Sequence, residues 1–524
     1  MTNSLEGFPL GIVAWLALVP LHALLVEITP KQGFFRGWFA GTIAFIGTMY
    51  WVVIAMHLYG QMPLLISVAV MLLLAVYLGL YVGVYALAYV WVERRRPSLA
   101  WIAAPCFWVA LEFLRTYALS GLPWGLLGYS QFQWLPIIQI ADITSVYGVS
   151  FLIVLVNVAL FHTGHWLIPR KVIPRNIAKP WLPLAVTLPV FLLIWTYGEG
   201  SLLTSISKRS QMPTLDIGIV QPNIDQAQKW DVAYRLDTME RYTQLTQLAA
   251  KGSDLILWPE SATPFVFEQE PTYQSLVKNM VVQGKAPLVF GSPLLQRHTD
   301  GRPYLFNSAY LLDASGNISG RYDKQHLVPF GEYIPLRTLL FFLDKLVVGI
   351  GDFESGNQPT LLSIQKSPDS QPVRFGVAIC FEVVFPNLVR QLANAGANFL
   401  ITLTNDAWFG DTVAPSQHFA MVVFRAVENR MAFARAANTG ISGFIDPTGH
   451  ILAASPIFTE QALTGRIPLT SPSTFYTRFG DMFAWGCVII SLILLLFLRF
   501  FPTQNAIDTV FQMPSKHKGE QNVR

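Results

Sequence analysis

Long apolar stretches with few charged residues are the feature that most constrains how this chain can fold. A helix that crosses the hydrocarbon core of a bilayer, roughly 30 Å thick, needs about 20 predominantly apolar residues. The sequence is 52% hydrophobic and only 13% charged, a balance that soluble proteins of this length rarely show. Seven stretches are long enough, and we predict a membrane-spanning helix in each: 8–26, 34–57, 62–92, 99–118, 146–166, 181–198 and 482–501.

The distribution of Lys and Arg predicts the orientation of these spans, because basic residues in short loops stay on the cytoplasmic side. The run 62–92 is long for one span and short for two, and we predict a single long or tilted helix there. With that choice the basic loops all fall on one side, and the segment 199–481 falls on the other, outside the cytoplasm. These basic residues are Lys31, Arg36, Arg94, Arg95, Arg96, Arg170, Lys171, Arg175 and Lys179, followed by Lys516, Lys518 and Arg524 in the tail.

The same charge pattern accounts for the formal net charge of +4, so we predict a bilayer and no nucleic acid as a partner. The first residues, Met-Thr-Asn-Ser-Leu-Glu, lack the basic region of a secretory signal. We therefore expect no cleavable signal and an N-terminus outside the cytoplasm. Whether a further span lies upstream of this start stays open.

Three cysteines cannot all be paired with one another, and two of them fall inside predicted spans. These two are Cys106 and Cys487, whereas Cys380 lies in the extramembrane segment. A lone thiol in an oxidising compartment has no disulfide partner there, which favours a chemical role for Cys380.

From about 213 to 470 the chain has the pattern of a globular α/β domain, with charges, prolines and glycines between short β-rich runs. Most predicted strands are continuously apolar, as expected for strands covered on both faces. We predict strands at Leu215–Gln221, Asp254–Trp258, Pro287–Ser292, Phe306–Asp313, Val373–Ile379, Asn398–Thr404 and Ile441–Asp446. Helices are predicted at Val232–Ala250, Val384–Ala395 and Ser416–Ala436.

Three groups of chemically active residues follow predicted strands or lie in the loops between them. Leu-Ile-Leu-Trp-Pro-Glu ends at Glu260, a later loop carries Lys324 and Glu332, and Gly-Val-Ala-Ile-Cys-Phe-Glu contains Cys380 and Glu382. Ligand-binding residues collect at the carboxyl ends of strands in α/β folds, so these positions favour a common site.

Taken singly, each of these residues has an ordinary structural interpretation. A cysteine that ends an apolar strand is commonly a small core residue. A lysine in a loop is normally a solvated charge, and Pro-Glu after a strand is commonly part of a turn. Their joint occurrence in this order, together with the membrane helices, argues for a site.

At these residues the chain resembles the nitrilase superfamily, whose catalytic set is Glu, Lys and Cys in that order. The matching blocks are Trp-Pro-Glu-Ser, Tyr-Asp-Lys, Ile-Cys-Phe-Glu and Thr-Asn-Asp-Ala-Trp-Phe-Gly at 404–410. Val-Gln-Pro-Asn-Ile, Lys229-Trp230 and the flanking helices resemble one branch, the apolipoprotein N-acyltransferases. The resemblance implies an αββα sandwich inserted into a bundle of transmembrane helices. Phe381 departs from this branch, which often carries tyrosine there.

The resemblance implies roles for these residues. Cys380 is the expected nucleophile, activated by Glu260 as a general base, since a free cysteine with a pKa near ~8.5 is mostly protonated at neutral pH. Lys324 and the backbone N–H of Phe381 are expected to stabilise the oxyanion. Glu332 and Glu382 are expected to hold Lys324 and the attacking amine in position.

Aromatic residues near these motifs suit a hydrophobic mouth for acyl chains, and the candidates are Trp230, Trp408, Phe409 and Tyr333. They are equally common as core residues. Glu112 and Arg115 in the fourth run are either a structural ion pair or a headgroup site. His326 and His418 lack metal-ligand spacing and no Gly-rich phosphate loop is present, so we predict no metal or other cofactor.

The expected activity is transfer of an acyl chain from a phospholipid such as phosphatidylethanolamine to the amine of a diacylglyceryl-modified apolipoprotein. The expected location is the bacterial inner membrane, with a monomer that has its catalytic domain in the periplasm. The predicted parts are helices in 1–198, the catalytic domain in 199–478, a last helix in 479–502 and a cytoplasmic tail in 503–524. Two alternatives stay open, namely a membrane-anchored nitrilase-like amidase and a non-catalytic membrane scaffold.

Overall fold

The computed structural model describes residues 11–167, 181–333, 353–367, 369–471 and 473–500. The predicted basic loop at 170–179 and the predicted tail from 503 lie outside these ranges. Within them, a helical region precedes a globular α/β domain, and one more long helix follows that domain.

Five of the described helices have the length and apolar composition needed to cross a bilayer, and a pair bent by 49° would count as a sixth. That pair joins Pro30–Met49 to Trp51–Tyr59. The run 62–92 forms one helix of 32 residues, as predicted. The helices before the globular domain are α1 (Gly11–Ala17), α2 (Val19–Leu24), α3 (Pro30–Met49), α4 (Trp51–Ile54), α5 (Leu64–Arg95), α6 (Pro97–Tyr117), α7 (Leu135–Ile138), α8 (Ala141–Thr144), α9 (Val146–Leu167) and α10 (Trp181–Arg209).

The first predicted span is broken in its described part, where α1 and α2 are short helices that meet at Leu18. Pro20 lies in the first turn of α2 and has no N–H to donate. The amide of Asn157 on α9 fills the gap: its Oδ1 accepts the Leu18 N–H at 2.9 Å, and its Nδ2 donates to the Ala14 carbonyl at 2.9 Å. A side chain from a neighbouring helix therefore replaces the missing backbone bond.

Helices α3 and α5 run antiparallel in close contact, because glycines of α3 face small residues of α5. Gly37 lies beside Ala86 and Gly41 beside Gly79. This pairing brings the basic start of α3 to the same end as the arginines that close α5, where Arg94 Nη1 donates to the Ile28 carbonyl at 3.4 Å. The basic residues of both helices thus lie at one end of the bundle, as the charge pattern predicted.

Replacing Gly37 by alanine is expected to destabilise this helix pair. The added Cβ would lie 2.5 Å from the Cβ of Ala86 and 2.7 Å from the carbonyl oxygen of Val82. Overpacking of this kind costs about 1–3 kcal/mol. The control is Gly47→Ala in the same helix, where no atom lies within 4 Å of the added Cβ. Thermal unfolding in detergent should show a lower Tm for Gly37→Ala alone, and equal Tm values would contradict the proposed close packing.

The globular domain contains two six-stranded sheets with the orders β12-β1-β2-β3-β4-β5 and β11-β10-β9-β8-β7-β6. The predicted αββα sandwich is confirmed. The strands are β1 (Thr214–Gln221), β2 (Leu255–Leu257), β3 (Leu288–Arg297), β4 (Pro303–Leu312), β5 (Ile318–Asp323), β6 (Leu361–Ile364), β7 (Val373–Ile379), β8 (Phe399–Thr404), β9 (Phe433–Ala437), β10 (Gly443–Ile445), β11 (Ile451–Ala454) and β12 (Gln461–Pro468). The remaining helices are α11 (Arg235–Ala249), α12 (Pro271–Gly284), α13 (Pro386–Asn394), α14 (Ala414–Asn429), α15 (Phe475–Phe479) and α16 (Met482–Phe500).

The two sheets face each other through a shared apolar core, to which Ile217 and Leu257 contribute from one sheet and Val377 and Ile401 from the other. Helices α11 and α12 cover the first sheet. Helices α13 and α14 cover the second sheet, and their outer faces join one continuous core with the membrane helices. The second sheet is therefore fixed to the helical region through its own covering layer.

Polar contacts fasten α14 to the helical region at its carboxyl end. Arg430 Nη2 lies 2.7 Å from Asp142 Oδ2, and the hydroxyl of Ser145 donates to buried Glu428 at 2.7 Å. Because these bonds are shielded from water, they fix the orientation of the globular domain on the bundle.

Some predicted boundaries differ from the structure. Helix α10 continues past the predicted boundary at residue 198 to Arg209, with Pro213 shortly beyond its end. The predicted helix Ser416–Ala436 is wrong in its last part: α14 ends at Asn429, Arg430 adopts a φ of +50°, and Phe433–Ala437 forms β9. Pairing of β9 with β8 and β10 overrides the helix propensity of its alanines.

Candidate active site

Glu260 lies in the turn that follows β2 and is buried, with 7% of its surface exposed. Its Oε1 accepts a hydrogen bond from Asn307 Nδ2 at 2.8 Å, and its Oε2 accepts the backbone N–H of Asn405 at 3.0 Å. Ser261, the next residue, has a φ of +47°, which bends the chain sharply after the strand. The carboxylate is thus held at the carboxyl end of the first sheet.

Lys324 follows β5 and has a side chain that is only 1% exposed. Its Nζ lies 2.9 Å from Glu332 Oε1 and 3.4 Å from Glu260 Oε1. Burial disfavours the ammonium, but the charges of Glu332 and Glu260 raise the pKa of Lys324 above its ordinary value. Lys324 therefore stays charged between two carboxylates.

Glu332 is placed against Lys324 by two further hydrogen bonds. Its Oε2 accepts the backbone N–H of Val328 at 2.7 Å, and its Oε1 accepts Asn307 Nδ2 at 2.8 Å. Asn307, on β4, thus bridges Glu260 and Glu332. Asn307 was not predicted as a site residue, because a single asparagine within an apolar strand belongs to no motif.

Cys380 begins a short 3₁₀ turn directly after β7, with a φ of +51°. A left-handed conformation at a non-glycine residue is strained and is often found at functional positions. Burial raises the pKa of the Cys380 thiol, Glu260 adds to this effect, and Lys324 opposes it. The charges of both predicted partners, Glu260 and Lys324, therefore act on the Cys380 thiol. The N–H of Phe381 lies in the first turn, where donors lack intrahelical partners.

Glu382 is fully buried and supports the backbone around the site. Its Oε2 accepts the N–H of Ile379 at 2.6 Å, and its Oε1 accepts the Tyr322 hydroxyl at 2.8 Å and the Gln325 N–H at 2.6 Å. Burial raises the pKa of Glu382 to about 7, against the opposing effect of the Ile379 amide. Glu382 thus joins the turn of Cys380 to the segment that carries Lys324, whereas Glu332 contacts Lys324 directly.

A buried polar cluster that was not predicted from the sequence lies behind Cys380. The Nε2 of His418 is 3.2 Å from the Cys380 carbonyl oxygen. Arg435 Nη2 is 3.1 Å from the Nδ1 of His418 and 2.7 Å from Asp406 Oδ2. Burial and Arg435 lower the pKa of His418, which favours a neutral ring that donates from Nε2 to the Cys380 carbonyl. Because His418 lies on α14 and Arg435 on β9, their spacing along the chain does not indicate that the two side chains meet.

Three of the four predicted aromatic residues, Trp408, Phe409 and Tyr333, contact the helical region. The ring of Phe409 packs edge-on against Trp51, and that of Trp408 lies 6.2 Å from Tyr59. The hydroxyl of Tyr333 donates to Ser120 Oγ at 2.8 Å. Trp230 is 48% exposed.

Glu112 and Arg115 of α6 make separate contacts. Glu112 Oε1 accepts Trp108 Nε1 at 3.0 Å and the Leu127 N–H at 2.7 Å. The guanidinium of Arg115 lies 5.0 Å from the centre of the Phe45 ring. The Leu127 bond supports the loop that follows α6.

Comparison with known proteins assigns both halves of the chain. Residues 1–159 match the apolipoprotein N-acyltransferase N-terminal domain, and residues 216–473 match the carbon-nitrogen hydrolase family. Among solved structures, an amidase from Nesterenkonia sp. is 20% identical to this chain, with a TM-score of 0.36. The match covers 49% of this chain and 91% of the amidase. Saccharomyces cerevisiae Nit3, a member of the nitrilase superfamily, is 18% identical, with a TM-score of 0.37. The match covers 51% of this chain and 93% of Nit3.

Relatives match over nearly the whole length. The apolipoprotein N-acyltransferase of Geobacter metallireducens is 43% identical over 482 residues, which cover 91% of this chain and 89% of the relative. That of Chlorobaculum tepidum is 30% identical over 505 residues, covering 92% and 91%. The chain is therefore a membrane acyltransferase that belongs to the apolipoprotein N-acyltransferase family, within the carbon-nitrogen hydrolase superfamily.

Proposed function

We propose that the chain moves a fatty acyl group from a phospholipid to the α-amine of the N-terminal diacylglyceryl-cysteine of an apolipoprotein, through a thioester on Cys380. The observation that carries this proposal is the buried ammonium of Lys324 between Glu260 and Glu332, with Cys380 within range of its charge. A thiol, a base and a fixed cation at one point are the groups that covalent acyl transfer requires.

In the first half-reaction, Glu260 accepts the proton of the Cys380 thiol as the sulfur attacks the ester carbonyl carbon of the phospholipid. The carbonyl oxygen becomes an oxyanion, which Lys324 Nζ and the Phe381 N–H stabilise. Collapse breaks the C–O bond, and Glu260 returns the proton to the departing alkoxide. The products are a lysophospholipid and an acyl thioester on Cys380.

In the second half-reaction, the free amine of the apolipoprotein attacks the thioester carbonyl carbon. Glu260 accepts a proton from the attacking nitrogen, and the same donors stabilise the second oxyanion. The C–S bond then breaks, the amide forms, and the proton passes to the sulfur of Cys380. The enzyme is thus restored without any redox change.

Both substrates are lipid-anchored, and the position of the domain on the bundle suits their delivery. Tyr333 and Trp408 contact residues at the ends of membrane helices. The basic residues of α3 and α5 lie at the opposite end, which supports an inner-membrane protein with its catalytic domain in the periplasm. We propose phosphatidylethanolamine as donor and a monomer as the active form.

Hydrolysis by a membrane-anchored amidase is the second candidate, and exclusion of water distinguishes the two. Cys380 is partly exposed, but Glu260, Lys324 and Glu332 are all buried, which limits the access of water to the base that would have to activate it. This burial favours transfer over hydrolysis.

Intact-protein mass spectrometry after incubation with phosphatidylethanolamine alone tests the proposal. We expect an increase by the mass of one acyl group, which disappears when a diacylglyceryl lipopeptide with a free amine is added and reappears on that peptide. Release of free fatty acid with no acylated peptide would instead show a hydrolase. No acyl-enzyme and no peptide product would contradict both.

A further inference from the structure

A second lysine lies within the active site and takes no part in the mechanism described above. Lys229 belongs to the loop after β1 and is buried, with 4% of its surface exposed. Its Nζ donates to the backbone carbonyl of Glu260 at 3.2 Å. Buried lysines are rare unless a negative charge compensates them.

The loop that carries Lys229 is fixed across both sheets. The Ile224 N–H donates to Asn438 Oδ1 at 2.9 Å, and Asn405 Nδ2 donates to Gln226 Oε1 at 2.7 Å. Asn405 follows β8, the strand next to the one that delivers Cys380, and Asn438 follows β9, one strand further along the same sheet. The ammonium is therefore held rigidly over the site, on a different element from Lys324.

We propose that Lys229 is a second cation of the active site, which stabilises the thiolate of Cys380 and the anionic states that form on it. Lys324 is neutralised by two carboxylates, Glu260 and Glu332. Lys229 makes its hydrogen bond to a neutral carbonyl, so its positive charge remains available to a developing anion nearby. Its contact with the Glu260 carbonyl places it beside the proposed base, and the charges of Glu260 and Cys380 both act on it. This inference deepens the proposed function and rests on Cys380 as nucleophile.

The charge on Lys229 depends on pH in a defined direction. Burial lowers the pKa of Lys229 to about 8, and the charges of Glu260 and Cys380 oppose this effect. Below that pH the ammonium favours the thiolate, and above it the amine is neutral and the effect is lost. The other titratable or charged groups around Cys380 are Glu260, Lys324, Asp406, His418 and Glu382.

Alkylation of Cys380 by iodoacetamide tests the inference, with the site of modification followed by peptide mass spectrometry between pH 6 and pH 9.5. We expect Lys229→Gln to slow alkylation by about tenfold near neutrality, since a unit positive charge that acts on Cys380 is lost. The difference should shrink above pH about 8, where wild-type Lys229 loses its proton. Lys229→Arg should be alkylated at the wild-type rate near neutrality, and its advantage over Lys229→Gln should persist at higher pH.

The control is Lys251→Gln, which removes the same charge at an exposed position after α11 and should alkylate like the wild type. Superimposable curves for Lys229→Gln and the wild type would overturn the inference. An equal decrease of the alkylation rate at every pH in both Lys229 variants would also overturn it, because it would show a purely structural contact. Slower alkylation of Lys229→Gln with no acyl-enzyme in any variant would support this role while contradicting the proposed function.

Discussion

Cys380→Ala is expected to abolish acyl transfer, with activity reduced by more than about 10⁴-fold, because the thioester cannot form without the sulfur. Alanine accepts the φ of +51° no better and no worse than cysteine does, so the fold should be retained. Stability is expected to change by less than about 1 kcal/mol. The measurement is transfer to a lipopeptide, together with the mass of the protein after incubation with phospholipid.

The matched controls are Cys106→Ala and Cys487→Ala, which remove the thiols buried in α6 and α16. Both should still gain the acyl mass, and only Cys380→Ala should fail to gain it. Cys380→Ser should also be inactive, since a hydroxyl is far harder to ionise than a thiol. Lipopeptide acylation by Cys380→Ala at the wild-type rate would refute the covalent mechanism.

Lys324→Met is expected to reduce both activity and stability. Methionine fills a similar volume but leaves the carboxylates of Glu260 and Glu332 facing each other without the ammonium that lies 3.4 and 2.9 Å from them. Removing one partner of a buried ion pair costs about 3–5 kcal/mol, and losing an oxyanion donor slows the reaction by about 10²–10³-fold. Thermal unfolding in detergent and single-turnover acylation measure the two effects.

Lys366→Met is the matched control on the same domain. Lys366 Nζ lies 2.7 Å from Asp254 Oδ2, but the two side chains are 35% and 26% exposed. Pairs that water can reach contribute about 0–1 kcal/mol, so this variant should keep its activity and nearly all of its stability. Equal losses of stability in the two variants would contradict the inference that burial makes the Lys324 cluster important.

Patterns along the chain predicted the elements whose residues repeat a local signal. The run 62–92 and the strands around Val373–Ile379 and Asn398–Thr404 are predominantly apolar over the length of one element, and each forms that element. The edge strands β5, β6, β11 and β12 were not predicted, because β5 and β12 mix polar and apolar residues, whereas β6 and β11 are only four residues long. Helix α14 was predicted to be too long, since its end depends on Arg430 and on the pairing of β9.

By itself, the sequence determined that the chain is a membrane protein with an extramembrane α/β domain, and it identified Glu260, Lys324 and Cys380 as candidates. These conclusions depend on run lengths and on motifs, which are properties of neighbouring residues. Only the tertiary structure decided that Asn307 bridges two carboxylates, that His418 contacts the Cys380 carbonyl, and that Lys229 lies over Glu260. Such contacts join residues far apart in the chain, and packing of the two sheets and the membrane helices brings them together.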